Sequence, residues 1–138
     1  MNKQEVIDLL NRKRIVYFST IDVNGEPRVR PFSIVKIEDG KTYFFTGAFK
    51  NVYKQMKSNP HVEFCMMNEE KTLRIRGKIA FEEDSQIVKK ILDENEGYKE
   101  LYKGRINDLK LIYIEHGEVH IFEMGKLFEK RNFFAFNL

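Results

Sequence analysis

Residues 41–60 read KTYFFTGAFKNVYKQMKSNP, and their pattern changes midway from that of a strand to that of a helix. Thr, Tyr and Phe dominate Thr42–Thr46, and these residue types favour a pleated, half-buried chain. Gly47 follows and permits the backbone angles of a tight turn. A helix is predicted from about Lys50 to Ser58, because apolar residues there recur four apart on one helical face. Asn59-Pro60 ends this helix, since a residue before proline avoids helical angles.

The start of this predicted helix is a candidate anion site. The first backbone N–H groups of a helix have no intrahelical partner, and the positive end of the helix dipole attracts negative charge. Lys50 stands beside those groups, so the site suits a phosphate. The alternative is an ordinary strand-turn-helix connection with solvated lysines. On this stretch alone the ordinary connection is favoured, because helix starts far outnumber anion sites.

The composition of the whole chain limits the class of protein to which it can belong. The chain has 138 residues, of which 33% are charged and 42% hydrophobic, as expected for one folded domain spanning 1–138. No apolar run reaches the roughly 20 residues that span a bilayer. The N-terminal residues carry acids within their apolar pattern, which is not typical of a signal peptide, so we expect a cytoplasmic protein. The net charge of +3 permits an anionic ligand without indicating nucleic acid.

Working outward, the chain alternates short strands with turn signals. Strands are predicted before the stretch at Ile15–Ile21 and Pro27–Ile37, and after it at His61–Met67, Leu73–Phe81, Leu109–Glu115 and Glu118–Glu123, the last two joined by a tight turn near Gly117. Helices are predicted at 3–13 and 84–95, with a turn or short helix at 98–103. This order predicts a mainly β protein with flanking helices, a closed or nearly closed barrel of about six or seven antiparallel strands.

Two further features qualify the barrel. Pro31 lies within a predicted strand and removes a ladder hydrogen bond, so it marks an edge, a bulge or a split in the sheet. The tail, residues 132–138, is rich in phenylalanine. Such a tail is expected to pack on its own barrel or on a partner.

Two strands carry basic residues in alternation. Arg28, Arg30 and Phe32 share one face, an arrangement that suits a ligand with a planar ring and an anionic tail, or else an ordinary solvated strand. A second set, Arg74, Arg76 and Lys78, fits either a polyanion groove or the solvent-exposed face of a sheet, paired with Glu82, Glu83 or other acids. The solvent-exposed face is favoured over the polyanion groove, because no aromatic residues alternate with the basic ones there.

Other reactive residues give weak signals. His116 and His120 are four apart, but Gly117 between them indicates a turn, and further metal ligands are lacking, so no metal site is predicted. Cys65 is the single cysteine, lies within a predicted strand and is expected to be an inert thiol. The chain carries no nucleophile elbow, phosphate-binding P-loop or dinucleotide fingerprint.

The ordered set of motifs resembles the pyridoxamine 5′-phosphate oxidase-like family of FMN-binding split β-barrels. Three pieces carry the resemblance, and they cover most of residues 6–83: Ile15–Thr20 with GEPRVRPF at 25–32, YFFTG at 43–47 with KNVYKQM at 50–56 and NPHV at 59–62, and LRIRGKI at 73–79. Each piece alone is weak, but the ordered set is fairly specific. Residues 84–138 match only in outline.

The resemblance implies a homodimer with FMN in a cleft between the subunits. It also implies an FMN-dependent oxidoreductase acting on an unknown small molecule. The residues themselves, rather than the resemblance, lead us to expect no metal, nucleic acid or membrane partner. The cofactor-binding positions it implies are Arg28, Val29, Arg30, Pro31, Phe32, Ser33, Phe45, Thr46, Gly47, Lys50, Asn51 and Lys54. The phosphate would lie against Arg30, Lys50 and Asn51, and the backbone of 29–33 along the flavin ring. Because the flavin carries the redox chemistry, no catalytic side chain is required and none is assigned.

The chain also departs from the family pattern. Family members that make pyridoxal phosphate carry an Arg-Lys pair where this chain has Asn51-Val52, and a C-terminal segment with arginine and histidine where it has FFAFNL. These differences argue against oxidation of pyridoxamine phosphate itself. The alternative function is a flavin or haem carrier without turnover.

Overall fold

The structure, a computed structural model, describes residues 1–129 and 135–138. The α-helices in this part of the chain are α1 (Lys3–Lys13), α2 (Asn51–Ser58), α3 (Ser85–Asp93) and α4 (Glu96–Leu101). The strands are β1 (Ile15–Ile21), β2 (Pro27–Glu38), β3 (Lys41–Gly47), β4 (His61–Asn68), β5 (Lys71–Phe81), β6 (Leu109–Glu115), β7 (Glu118–Glu123) and β8 (Ala135–Asn137). None of the described helices is both long enough and apolar enough to cross a membrane.

Six antiparallel strands close into a barrel in the order β4-β1-β2-β3-β6-β5, and β5 pairs back to β4. This closure confirms the predicted split barrel. Helix α1 packs across β2 and is fixed by a capping box, in which Asn2 Oδ1 accepts the Glu5 N–H and the Glu5 carboxylate accepts the Asn2 N–H. Such a reciprocal pair satisfies two backbone donors that the helix itself cannot pair.

The long strand β5 serves two neighbours. Residues 79–81 of β5 pair with β6, whereas residues 71–76 pair with β7. The predicted tight turn between β6 and β7 is present. The two strands do not pair with each other, however, because each pairs with a different half of β5. A Cβ on Gly77 would lie 2.6 Å from Ile114 Cγ2. The absence of a side chain at Gly77 therefore lets Ile114 of β6 approach β5 closely at this point.

The core has two parts that share β3. Inside the barrel, Phe44 packs against Phe18 and Phe64, with ring centroids 5.1 and 5.5 Å away. On the outer side of β3, Tyr43 and Phe45 pack into a second cluster with helices α3 and α4. Because both faces of β3 are covered, its sequence is a continuous run of β-formers rather than an alternation.

The described end of the chain packs on its own barrel. Strand β8 pairs with β7, and Phe136 lies opposite Val119. Leu138 is buried in the barrel core, and its N–H donates to the Gly117 carbonyl at 2.9 Å. The remainder of the predicted tail, residues 132–134, lies outside the described residues.

Candidate functional site

The candidate site is a cleft beside the free edge of β2. The first half of β2, up to Ser33, pairs with β1, and pairing with β3 starts only at Ile34, where the register is irregular. Pro31 lies in the half of β2 that has no second neighbour among the described strands, in agreement with the edge or split that its missing N–H predicted. An open cleft of about 610 Å³ lies between this edge and helix α2. It is lined by Asp22, Pro27, Arg28, Val29, Arg30, Asn51 and Gln55.

Arg30 is held rigidly in the cleft by neutral acceptors. Its Nη1 donates to the Thr20 hydroxyl at 2.8 Å and to the Phe18 carbonyl at 3.2 Å. Its Nη2 donates to Gln55 Oε1 at 3.1 Å. Within the described chain its Nε–H has no protein acceptor, so the planar guanidinium keeps at least one donor for a ligand.

Thr20 and Gln55 complete this network, and no sequence pattern had identified either of them as a site residue. The buried Thr20 hydroxyl donates to Gln55 Oε1 at 2.7 Å. Since that oxygen accepts from both Thr20 and Arg30, the orientation of the Gln55 amide is fixed and its NH₂ group is left to donate elsewhere. In the pairing of β1 with β2, Phe18 lies opposite Arg30. Thr20 is two residues further along β1 and therefore lies on the same face of the sheet as Phe18. Only knowledge of that register could have identified Thr20.

The two arginines of the cleft differ in whether a carboxylate neutralises their charge. Arg28 Nε pairs with Asp22 Oδ2 at 2.9 Å, and its Nη2 lies 3.4 Å from a Glu26 carboxylate oxygen. A hydrogen bond from the Glu26 amide, helped by those from Arg28 and the Asn24 amide, lowers the pKa of Asp22. In contrast, Arg30 forms no ion pair with any carboxylate in residues 1–129 or 135–138.

Burial lowers the pKa of Arg30, but an arginine side chain stays charged at any physiological pH. The cleft therefore contains a fixed positive charge without a counter-ion from the described chain. A partly buried, unpaired charge is unfavourable until an anion binds beside it.

Helix α2 presents its N-terminal end to the same region. It starts at Asn51, one residue later than the approximate predicted start, and Lys50 is its N-cap residue. No side chain caps the helix, and its first turn carries no acidic residue. The first backbone N–H groups and the Asn51 side chain are thus free to meet an anion in the cleft.

The other predicted cofactor-binding residues lie outside the lining of this cleft. Phe32 stacks on Phe18 with centroids 4.8 Å apart, and so belongs to the barrel interior. Phe45 packs against Tyr98 in the outer cluster, and Gly47 is buried beneath Phe49 and Tyr102. Pro31, Lys50 and Lys54 are exposed and Ser33 is half-buried.

Thr46 stands apart from these residues. Its hydroxyl is buried and makes no hydrogen bond within the described chain. Buried hydroxyl groups are normally paired, so this oxygen marks the end of β3 as a place where a further polar atom would be stabilising.

Arg76 and Lys78 of the second basic strand line an open groove of about 570 Å³, whose described lining contains no phenylalanine or tyrosine. Arg76 is exposed and pairs with Glu118 across β5 and β7, at 3.2 Å, so its partner is one of the other acids that the prediction allowed besides Glu82 and Glu83. His120 Nε2 also contacts Glu118, at 2.7 Å, whereas His116 Nδ1 lies 2.9 Å from the Leu138 oxygen. Across the described residues, no three His, Cys, Asp or Glu side chains lie close enough together to hold a metal ion.

Comparison with known proteins identifies the family. A sequence model of the pyridoxamine 5′-phosphate oxidase family matches residues 3–121. The chain belongs to this family. No curated protein matches the chain in sequence.

Solved structures of several other proteins share the barrel. A NimC/NimA family protein from Clostridium acetobutylicum is 26% identical, with a TM-score of 0.80 over 98% of this chain and 92% of that one. An FMN-binding, pyridoxamine 5′-phosphate oxidase-related protein from Nostoc punctiforme is 14% identical, with a TM-score of 0.64 over 89% and 84%. HutZ, a haem storage protein from Vibrio cholerae, is 19% identical, with a TM-score of 0.68 over 88% and 93%. The last two comparisons are evidence of the fold alone.

Proposed function

We propose that this member of the family binds FMN in the cleft beside β2 and acts as an FMN-dependent oxidoreductase on a small molecule. The observation that carries the proposal is Arg30, a fixed guanidinium without a carboxylate partner in the described chain. A phosphate monoester supplies the missing negative charge and several acceptor oxygens, and arginine binds such groups through paired N–H donors.

Each residue of the cleft would have a separate role in binding FMN. Arg30 and the Gln55 amide would hold the phosphate, and the start of α2 would add backbone donors with Asn51 beside them. Thr20 would act through Arg30, because it fixes the position of the guanidinium. FMN, when bound, supplies the electron and hydride chemistry, so the chain needs to provide position and electrostatics only.

We further propose that the active form is a homodimer with the cleft at the interface. The outer face of β1, β2 and β4 exposes a group of large apolar side chains: Tyr17 is 57% exposed, Val29 68% and Met67 66%. Tyr17 lies opposite Pro31 on one neighbouring strand and Cys65 on the other. An apolar sheet face of this kind fits a second copy, as in a two-fold dimer. Val29 belongs to both this face and the cleft, so a second copy bound here would adjoin the cleft.

Tyr17→Asp is expected to weaken the dimer by about 30-fold or more, since truncating a central interface residue typically costs about 2 kcal/mol and burying a carboxylate adds to that. Sedimentation velocity over a range of protein concentrations measures the change. Leu101→Asp is the matched control, because Leu101 is an exposed apolar residue on α4, away from the sheet face. Equal association of the two variants would rule out this face as the interface.

A second candidate function is that of a flavin or haem carrier without turnover. The resemblance to HutZ raises it, but the cleft has no histidine among its described lining residues, which favours FMN over haem. The two functions differ in one experiment. Under anaerobic conditions a nicotinamide donor should bleach the bound flavin of an oxidoreductase, and admitting oxygen or a nitroaromatic acceptor should restore the colour over repeated cycles. Bound flavin that a donor does not reduce would identify a carrier.

A further inference from the structure

Helix α2 borders a second groove on its opposite flank. Asn51 and Gln55 face the Arg30 cleft, whereas Tyr53 and Lys57 line a groove of about 680 Å³ between α2 and α3. The two pairs share no residue. Whatever binds in the second groove therefore does not compete for the side chains that hold Arg30.

The floor of this groove is apolar and partly aromatic. Tyr53 and Phe81 meet edge to face, with centroids 5.5 Å apart. The groove is also lined by Val88, Leu92, Ile106, Leu109 and Leu111. A flat apolar ring can pack against such a surface and gain both burial and aromatic contact.

Two of the three lysines that line the groove have no ion-pair partner among the described residues. Lys57 Nζ lies over the rings of Tyr53 and Phe81, at 5.4 and 5.7 Å from the centroids. Neither Lys57 nor Lys110, which lines the same groove, forms an ion pair with any carboxylate that the structure describes. The third lysine, Lys89, is already paired with Asp93 at 2.9 Å.

The groove also contains two acids. Glu82 accepts hydrogen bonds from the Tyr43 hydroxyl at 3.3 Å and from the Asp84 N–H at 3.4 Å, so its carboxylate is committed to the junction between β5 and α3. Glu83 is exposed. Because both donors are neutral, Glu82 keeps its negative charge, so the groove contains two carboxylates beside the two lysines. Neither Lys57 nor Lys110 forms an ion pair with Glu82 or Glu83, so both lysines remain available to an anion.

We propose that this groove is a second ligand site, for a small aromatic carboxylate. The ring would lie on Tyr53 and Phe81, and the carboxylate would reach Lys57 and Lys110. An inorganic anion would leave the apolar floor exposed, and a neutral aromatic would leave both lysines unpaired. The combination of ring and carboxylate satisfies both features.

The test uses 2-naphthoate as the probe, titrated into the full-length protein with ¹⁵N-amide shifts and calorimetry as readouts. Saturable binding is expected, with shifts centred on Tyr53, Phe81 and Val88. The double variant Lys57→Ala/Lys110→Ala should bind at least about tenfold more weakly, because two charge-assisted contacts are lost. 2-Naphthalenemethanol, which has the ring without the charge, should show the same loss. Lys13→Ala on α1 is the charge-matched control and should bind as the wild type does.

Several outcomes would overturn the proposal. These are the absence of saturable binding, equal affinity in the double variant, equal affinity for the alcohol, and shifts centred on Arg30 and Gln55. Repeating the titration with Arg30→Ala separates this site from the FMN cleft. The second groove should bind the probe unchanged in that variant, whether or not the protein binds FMN.

Discussion

Arg30→Ala is expected to lower the affinity of the protein for FMN by about 10- to 150-fold. This range corresponds to the contribution of about 1.5–3 kcal/mol that hydrogen bonds to charged groups make. The effect is large because Arg30 is the cationic side chain whose guanidinium is fixed in the cleft and lacks a carboxylate partner in the described chain. Removing it takes away both the charge and the donors that a phosphate would meet. Titration of FMN into cofactor-free protein, followed by quenching of flavin fluorescence, measures the loss.

Three further variants make this result specific. Arg30→Lys keeps the charge but not the planar fork, so an intermediate loss is expected. Arg28→Ala should cost less than Arg30→Ala, because Arg28 is already paired with Asp22 and Glu26. Arg12→Ala, on α1, removes a positive charge away from the cleft and should leave the affinity unchanged. If Arg30→Ala and Arg12→Ala bind FMN equally well, Arg30 is not part of the site.

Phe44→Ala lowers the free energy of unfolding by about 3–5 kcal/mol, the range for removing a buried aromatic side chain and leaving a cavity. Phe44 is 0% exposed and contacts Phe18, Phe32 and Phe64 within the barrel. Domains of this size are stable by about 5–15 kcal/mol in total, so much of the stability is lost. Urea unfolding of the cofactor-free protein, followed by circular dichroism, measures the change.

Phe128→Ala is the matched control, since Phe128 is 95% exposed and its removal should shift the midpoint very little. Phe44→Leu should fall between the two variants, and it keeps the comparison possible if Phe44→Ala does not fold. A midpoint for Phe44→Ala equal to that of Phe128→Ala would contradict the assigned barrel core.

The barrel could be predicted because its strands are short and separated by strong turn signals. The stretch 41–60 predicted β3, the turn at Gly47 and α2 nearly to the residue, since β-formers, glycine and an Asn-Pro stop act locally. The resemblance to the family then indicated a split barrel of the FMN-binding type, but neither it nor the pattern predicted the order of the strands in the sheet. The positions of Arg28 and Arg30 on one face followed from alternation and agree with the register of β1 and β2.

The network around Arg30 could not be predicted, because it joins residues far apart in the chain. Thr20 and Gln55 are separated by 35 positions yet share a hydrogen bond. Alternation placed Phe32 beside the arginines, but it could not show that the strand passes from the open cleft into the barrel between Arg30 and Phe32. The division of β5 between β6 and β7 was missed for a similar reason, because a tight turn between strands normally makes them partners.

The most direct test compares FMN with riboflavin, which has the same ring system and no phosphate. Both are titrated into the cofactor-free wild-type protein under identical conditions. If the cleft holds the phosphate through Arg30, the protein binds FMN at least about tenfold more tightly than riboflavin, and this preference disappears in Arg30→Ala. Equal affinity for the two flavins in the wild type, or no binding of FMN at all, would contradict the account.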